Sequence, residues 1–549
     1  MAKKVKTEDF DSFEWKYWED SNASFENTGQ DVILVSVNKE LTEYTIPDKV
    51  TVIGYDAFAH CNRLKSVVIP DSVTEIGEYA FYGCTGLTKI IVAEGNEHFK
   101  SIEGVLYNSS HTELIHCPCG RKSITIPCTV AKIGYGAFDG CSVLAEIIVA
   151  GGSEKFKSVD GVLYDSTLSI LIRCPQGKET IAIPDTVTLI EPAAFEDCKK
   201  LKSITIPRSV TFISGGFIID CDNLAAINVS EENQYFKSVD GVLYDAFLST
   251  LIRCPQAKKT IEIPDTVKEI FRNAFEGCIG LTYITIPNSV LEIERWAFKG
   301  CIGLKNITIP NSVLEIGICA FEGCTGLTNI TISNSLLKIG SGAFDGCKNL
   351  MTVGIPDSVI TIVLSNEFYG CEKLTEFIVN DDSTRFKSID GVLYDATISK
   401  LIRCPVGKST ITIPDSVVEI GSKAFWYCKN LTTVSIPNSV VTIGFNAFCY
   451  CKNLTTILIP DSVVEIGSDV FWSCTSLTTI SIPDSVVKIG ISAFEGCNKL
   501  TDVFLTGTAK KNRYKGLNLP TGKNIRVHLK KGTSFNSEEF KDVTIVWEE

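Results

Sequence analysis

The stretch Leu454–Ser476, LTTILIPDSVVEIGSDVFWSCTS, is followed at once by LTTISIPDSVVKIGISAFEGCNK, a near-copy displaced by 23 residues. A fixed period of this length restricts a chain to stacked, quasi-one-dimensional architectures, and it settles the fold class before any other feature is weighed. Within the copy, Leu454, Ile457 and Ile459 follow L-x-x-I-x-I, which sets Ile457 and Ile459 on one face of a short strand and turns Thr456 and Leu458 the other way. Pro460 has no N–H to donate and ends the strand, and Asp461-Ser462 supply turn chemistry. Val463, Ile466 and Gly467 form a second inward-facing segment, and Val470-Phe471 with Cys474 fill the back of the coil as a helical or 3₁₀ stretch. One copy has too few apolar residues to bury its own inner face, so copies must stack and share a core.

With leucine as the register, copies recur from Leu41 to Leu500 at steps of 23 residues, 24 once (Leu350 to Leu374), or 57. The 57-residue steps begin at Leu87, Leu144, Leu224 and Leu374, and each holds one enlarged turn followed by a plain one, which makes about 18 turns in all. The plain turn opens on a basic residue, Arg121, Lys178, Lys258 or Lys408. The enlarged turns share FKSIEGVLY (99–107), FKSVDGVLY (156–164 and 236–244) or FKSIDGVLY (386–394), followed by LIHCP or LIRCP. Apolar runs around Asp-Gly or Glu-Gly predict β-hairpins that stand off the solenoid. Arg173, Arg253 and Arg403, with His116 in the remaining copy, read as locally packed side chains, each paired with a nearby acid; an anion site is the other reading.

The copies I-P-[DN]-S-V-x-x-I-G-x-x-A-F-x-G-C-x-x-L, as in IPDSVTEIGEYAFYGCTGL (69–87), and the F-K-S-I-D-G-V-L-Y…L-I-R-C-P-x-G-K insert resemble the BspA-like leucine-rich repeats over residues 41–505. The resemblance implies a β-rich α/β repeat solenoid, curved and right-handed, with a parallel sheet on the concave face and four protruding hairpins. It also implies a protein of bacterial or mucosal-protist surfaces, where adhesion to host matrix proteins or other cells is attributed to some members. The family has no catalytic motif, so no functional residues carry over.

Residues 1–40 are expected to be an N-terminal cap, 41–505 the solenoid and 506–549 a C-terminal cap. Phe10, Phe13, Tyr17 and Trp18 suggest an apolar stripe on a short helix, covering the open core end or docking a partner. DVILVSV (31–37) reads as the first strand of the stack, and IRVHL and VTIVWEE as closing strands. Met351–Gly354 and an extra residue near Val363-Leu364 mark one irregular turn. The opening MAKKVKTEDFDSFEWKYWED has no apolar h-region and does not read as a secretory signal. That leaves a chain that stays inside, one that has lost its leader, or export by another route; the resemblance favours the cell surface, and a cytoplasmic location is the alternative.

A net charge of −13 argues against a nucleic-acid surface, and no apolar run is long enough to span a membrane. Fourteen of the 22 cysteines hold one repeat position, from Cys61 to Cys497. Thiols in such a ladder serve as small hydrophobes; disulfides or a metal site are the alternatives, disfavoured because parallel Cβ vectors do not converge. Cys117-Pro-Cys119 and Cys449-Tyr-Cys451 lack a second pair at zinc spacing. The five histidines accompany no G-x-S-x-G, H-E-x-x-H or phosphate loop, and a repeat puts like residues in rows where catalysis needs unlike groups converging. No cofactor is expected.

Two rows remain as binding candidates. On the exposed sheet face, flanking the central isoleucine, lie Ser203/Thr205, Tyr283/Thr285, Asn306/Thr308, Asn329/Thr331, Thr433/Ser435, Thr456/Leu458 and Thr479/Ser481. Thr suits exposed strands for β-propensity alone, and T-x-T rows also occur on ice-binding surfaces. The central patch of Tyr283, Thr285, Asn306, Thr308, Asn329 and Thr331 is nevertheless singled out to contact a protein or glycan. The second row is Asp71, Asp185, Asp265, Asp357, Asp415, Asp461 and Asp484, with Asn288, Asn311 and Asn438. It offers oxygen ligands to Ca²⁺, but the Asn replacements favour local turn caps and no metal. The function these features suggest is non-enzymatic macromolecular binding, as a surface adhesin or, alternatively, as an intracellular scaffold.

Overall fold

The computed structural model describes residues 17–19, 22–359, 361–362, 368–505, 519, 525–530 and 543–548. The chain divides into two compact units, Met1–Phe247 with Cys254–Ala257, and Leu248–Arg253 with Lys258–Glu549. Both are stacks of β-coils, and together they make about 20 turns.

In the second unit the coil of Leu454 shows why the sequence folds this way. Thr456–Leu458 is a strand with Ile457 buried and its two neighbours exposed. Pro460 stops it, and Val463 turns the chain inward to a second strand, Glu465–Ile466. Each strand pairs in parallel with its equivalent one period away: Thr456 with Thr479 in the first sheet, Glu465 with Lys488 in the second. Because side chains alternate in a strand, the central residue, most often isoleucine, goes inward and its two neighbours, most often hydroxyl or amide residues, face outward. The same first-sheet pairing links Asn306–Thr308, Asn329–Thr331, Thr352–Gly354 and Glu376–Ile378.

The back of the coil is not helical, and no helix occurs among the described residues. Two residues per coil take the left-handed conformation, Asp469 (φ 54°) and Ser473 (φ 56°) in this one, which breaks any run of helical dihedrals. The amides point along the stack instead: Phe448 N–H donates to Val470 O at 2.9 Å and Tyr450 N–H to Trp472 O at 2.9 Å. This back wall stacks phenylalanines, with ring centroids of Phe275, Phe298 and Phe321 at 4.7 and 5.0 Å and nearly parallel planes. Next to them runs the cysteine ladder. Cys324 Sγ donates to Phe298 O at 3.0 Å and Cys474 Sγ to Phe448 O at 3.1 Å. All 22 cysteines are free thiols, and burial pushes those of Cys324 and Cys474 far up. They act as small core residues with a weak donor.

In the first unit the stack begins with an antiparallel ribbon: Tyr17–Glu19 pairs with Ala23–Asn27, which pairs with Val32–Val37. Residues 17–19 are therefore strand where a helix is expected, while Phe10 and Phe13 lie outside the described residues, as do Val363 and Leu364. Val32–Val37 joins the second sheet through Ile33 opposite Val52, so the expected starting strand is present. In the second unit Ile525–Lys530 and Val543–Glu548 extend the first sheet in parallel beyond Asp502–Leu505.

The enlarged turns are antiparallel meanders. Phe99–Ile102 pairs with Val105–Asn108, and that strand with Glu113–His116, which enters the second sheet beside Lys132–Ile133. Glu103 (φ 50°) and Gly104 (φ 84°) form the two-residue turn between the first two strands, where left-handed dihedrals at both positions match strand twist. The expected hairpins are present, each tied to the first sheet at its turn. The turn folds back so that Ile90 N–H donates to Gly104 O at 2.9 Å, and Phe377 N–H to Gly391 O likewise. The hairpin tip thus occupies the place that the next first-sheet strand would take.

The arginines of the inserts correct a further expectation. Arg173 Nη1 reaches Glu196 Oε2 at 2.7 Å and Ala193 O at 2.8 Å. Arg253 and Arg403, only 1% and 2% exposed, instead donate to main-chain carbonyls: Asn273 O and Glu276 O, Lys423 O and Trp426 O. The turn carbonyls of the next coil's back wall accept from the two Nη groups in place of an acid.

Candidate functional site

The hydroxyl and amide row lies on the first sheet of the second unit. Tyr283, Thr285, Asn306, Thr308, Asn329 and Thr331 are all exposed, because each flanks an isoleucine (Ile284, Ile307 or Ile330) that the core takes. Tyr283 is the largest apolar projection, at 64% exposed. Parallel register stacks like on like: Asn306 faces Asn329, and Asn329 Nδ2 donates to Asn306 Oδ1 at 3.4 Å. Thr352 Oγ1 continues the row to Asn329 Oδ1 at 3.3 Å, and Thr285 Oγ1 donates to Tyr283 Oη at 3.0 Å. These contacts are long or peripheral, so most donors and acceptors of the row stay available to another molecule.

A shallow groove of about 590 Å³ is lined by Tyr283, Thr285, Asn306, Thr308 and Thr331 of this patch, together with Asp265, Asn288, Asn311 and Ser333. The two rows that the sequence presents separately therefore adjoin: the strand-ending Asx residues border the same depression as the strand hydroxyls. Thr352 and Ser333 belong to the patch and escape a reading limited to the x-I-x triplets, although the 23-residue register places them there. The remaining pairs, Ser203/Thr205 in the first unit and Thr433/Ser435 and Thr456/Leu458 in the second, are exposed in the same sense, whereas Thr479 and Ser481 are half-buried.

The Asx row does not behave uniformly as turn caps. Asp357 accepts from Thr384 N–H at 2.6 Å, Thr384 Oγ1 at 3.0 Å and Ser383 Oγ, tying one coil to the insert that follows. Burial, the largest single effect, raises its carboxyl, but those hydrogen bonds together outweigh it and hold the carboxyl below the ordinary value. Among the described residues no three His, Cys, Asp or Glu side chains cluster as a metal site would require, and no helix is long and apolar enough to cross a membrane.

Stacked 23-residue coils, an isoleucine-leucine interior and outward rows of small polar residues define a leucine-rich-repeat solenoid. The sequence pattern of the BspA type leucine rich repeat region matches in six copies, over residues 37–121, 115–239, 253–375 and 404–515, and the chain belongs to that family. Solved structures show similarity at low identity. A leucine-rich repeat protein from Bacteroides ovatus is 23% identical, with 97% of this chain and all of that one covered and a TM-score of 0.34. A leucine rich cell surface protein from Faecalibacterium prausnitzii is 22% identical over 96% and 97% of the two chains, with a TM-score of 0.29. The pneumococcal vaccine antigen PcpA is 15% identical over 97% and 98%, with a TM-score of 0.27. No curated protein sequence matches.

Proposed function

We propose that this chain is a non-enzymatic binding protein that contacts a protein or glycan through the first-sheet face, and that it serves as a surface adhesin. In this reading residues 1–40 and 506–549 cap a binding solenoid spanning 41–505. The observation that carries the proposal is the groove over Tyr283, Thr285, Asn306, Thr308 and Thr331, with Asn329 next to Asn306 on the same exposed row. It is weakly charged, mixes apolar and polar lining, and carries hydroxyl and amide side chains whose hydrogen-bonding capacity is mostly unspent. Tyr and Asn give contact area and adaptable hydrogen bonding at small entropic cost. Rows of like side chains suit an extended partner better than a reacting centre.

The test is adhesion of the purified chain to immobilised matrix glycoproteins and to mucin glycans. Replacing Tyr283, Asn306 and Asn329 together by Ala or by Asp should abolish adhesion while urea unfolding is unchanged. Equal adhesion by the folded triple variant would remove the proposal. A second reading, an intracellular scaffold using the same face, is favoured by the 22 free thiols, which suit a reducing compartment. Protease shaving of intact cells separates the two: loss of the chain from whole cells supports the adhesin, full protection the scaffold.

A further inference from the structure

The four inserts repeat one device. In three of them an arginine closes the notch left where the insert's own back segment is short. Arg173, Arg253 and Arg403 each donate to the main-chain carbonyl 20 residues on, that of Ala193, Asn273 or Lys423. Each also donates to the residue 23 further on: the carboxylate of Glu196, or the carbonyl of Glu276 or Trp426. In the first insert the arginine position is His116, a shorter side chain that lies over Phe81 with ring centroids 5.3 Å apart. The equivalents of Ala193 and Glu196 are Gly136 and Asp139. The notch there is a cavity of about 170 Å³, lined by Tyr79, Tyr82, His116, Tyr135, Gly136 and Asp139 among others.

Two further observations mark this cavity as made for a cation. Asp139 is 8% exposed, and its carboxylate accepts no hydrogen bond from the described residues. Of the two other acids on the wall, Glu113 is already paired with Lys132 at 2.7 Å and Glu78 is exposed to solvent. Burial, with Glu196 and Asp197 nearby, lifts Asp139 to about 6 even though Arg173 opposes the shift, so the carboxylate lacks the cation its counterpart Glu196 has. The rings supply the remaining walls. Tyr79 stands nearly perpendicular to Tyr82 and Tyr135, at centroid distances of 6.0 and 6.4 Å, and its hydroxyl lies 3.4 Å from that of Tyr135. Aromatic walls around one carboxylate and a turn carbonyl suit a flat, delocalised cation better than a compact ammonium, which needs acceptors on three sides.

We propose that the cavity bounded by Tyr79, Tyr82, Tyr135 and Asp139 binds a guanidinium group from outside the chain, as in an arginine side chain, in the place the chain's own arginine fills in the other three inserts. The site lies in the first unit, apart from the groove of Tyr283, and stands or falls independently of the adhesin reading.

The experiment is calorimetric titration of the full chain with N-acetyl-arginine amide, agmatine and an arginine-containing peptide, with citrulline as the neutral isostere and choline as a cation of other shape. The guanidinium compounds should bind and citrulline should not. Tighter binding of the peptide than of agmatine assigns the site to protein arginine, and the reverse order to a free small molecule; either order is consistent with the proposal. Asp139→Asn should weaken binding about ten- to hundredfold while leaving the melting temperature unchanged or higher. His116→Arg should restore the internal cation, raise the melting temperature and abolish binding. Citrulline or choline binding as well as arginine, or guanidinium binding unaffected by both Asp139→Asn and a folded Tyr79→Ala/Tyr135→Ala variant, would overturn it.

Discussion

Each insert carries a tyrosine one residue before the end of its second strand, Tyr107, Tyr164, Tyr244 and Tyr394, and all four rings are fully buried. None of the four hydroxyls has a hydrogen-bond partner, and burial pushes each phenol well above its ordinary value. A buried donor left unmade forfeits its hydration for nothing, at about 1–3 kcal/mol. Tyr164→Phe removes that donor and keeps the ring, its contacts and the strand Val162–Asp165. The substitution should therefore stabilise the protein by about 1 kcal/mol, where a Tyr→Phe change in a satisfied core loses about that much. The four tyrosines lie in separate coils and share no partner, so the quadruple Phe variant should gain about 4 kcal/mol. Because a solenoid couples mainly neighbouring coils, the assay is hydrogen exchange of the amides flanking each site, alongside urea unfolding. A loss of about 1 kcal/mol at Tyr164→Phe would refute the reasoning and imply that the hydroxyl is bonded to an enclosed water.

The stacked back wall gives a second expectation. Phe298→Ala should cost about 3–5 kcal/mol and expose the amides of the coils on either side first, whereas Phe298→Leu should cost much less; hydrogen exchange distinguishes them. A thiol reagent applied to the native chain should label Cys128 quickly and Cys319 slowly, with the other cysteines protected until urea unfolds their coils, because only these two are not fully buried. Asp502 accepts from Arg526 at 2.7 and 2.8 Å and lies 2.8 Å from His528 Nε2, and these bonds hold its carboxyl well below the ordinary range. A carboxyl depressed in the folded state stabilises fully above its unfolded value of about 4, and that contribution fades as pH falls below it. Amides of Ile525–Lys530 should therefore lose protection in acid, and Asp502→Asn should make that protection low and nearly independent of pH over the same range.

How far the sequence reaches can be judged residue by residue. Ile457, Val463, Ile466 and Leu477 are buried where the period places them, and Thr456 and Leu458 are exposed, because alternation along a strand and translation by one coil are local rules. The free, buried ladder from Cys61 to Cys497 follows from the same translation. The helix expected around Val470-Phe471 does not form, since its cause lies in left-handed dihedrals at Asp469 and Ser473 that composition does not announce. The exposure of Tyr283, Asn306 and Asn329 was legible; the groove joining Tyr283 and Asn306 to Asn288 and Asn311 was not, because it depends on the depth between adjacent coils.

By itself the sequence determined the period, the interior and the outward rows, all consequences of one side-chain pattern repeated every 23 residues. Only the tertiary structure decided what crosses between rows: that Arg253 and Arg403 are held by carbonyls, and that the hairpin tips fold back into the first sheet. It also brings Tyr79, Tyr135 and Asp139, up to 60 residues apart in the chain, around one cavity. The reason is physical: neighbours along a row are set by the repeat, whereas neighbours across rows depend on where each insert interrupts the stack and on whether an arginine or a histidine stands in the notch.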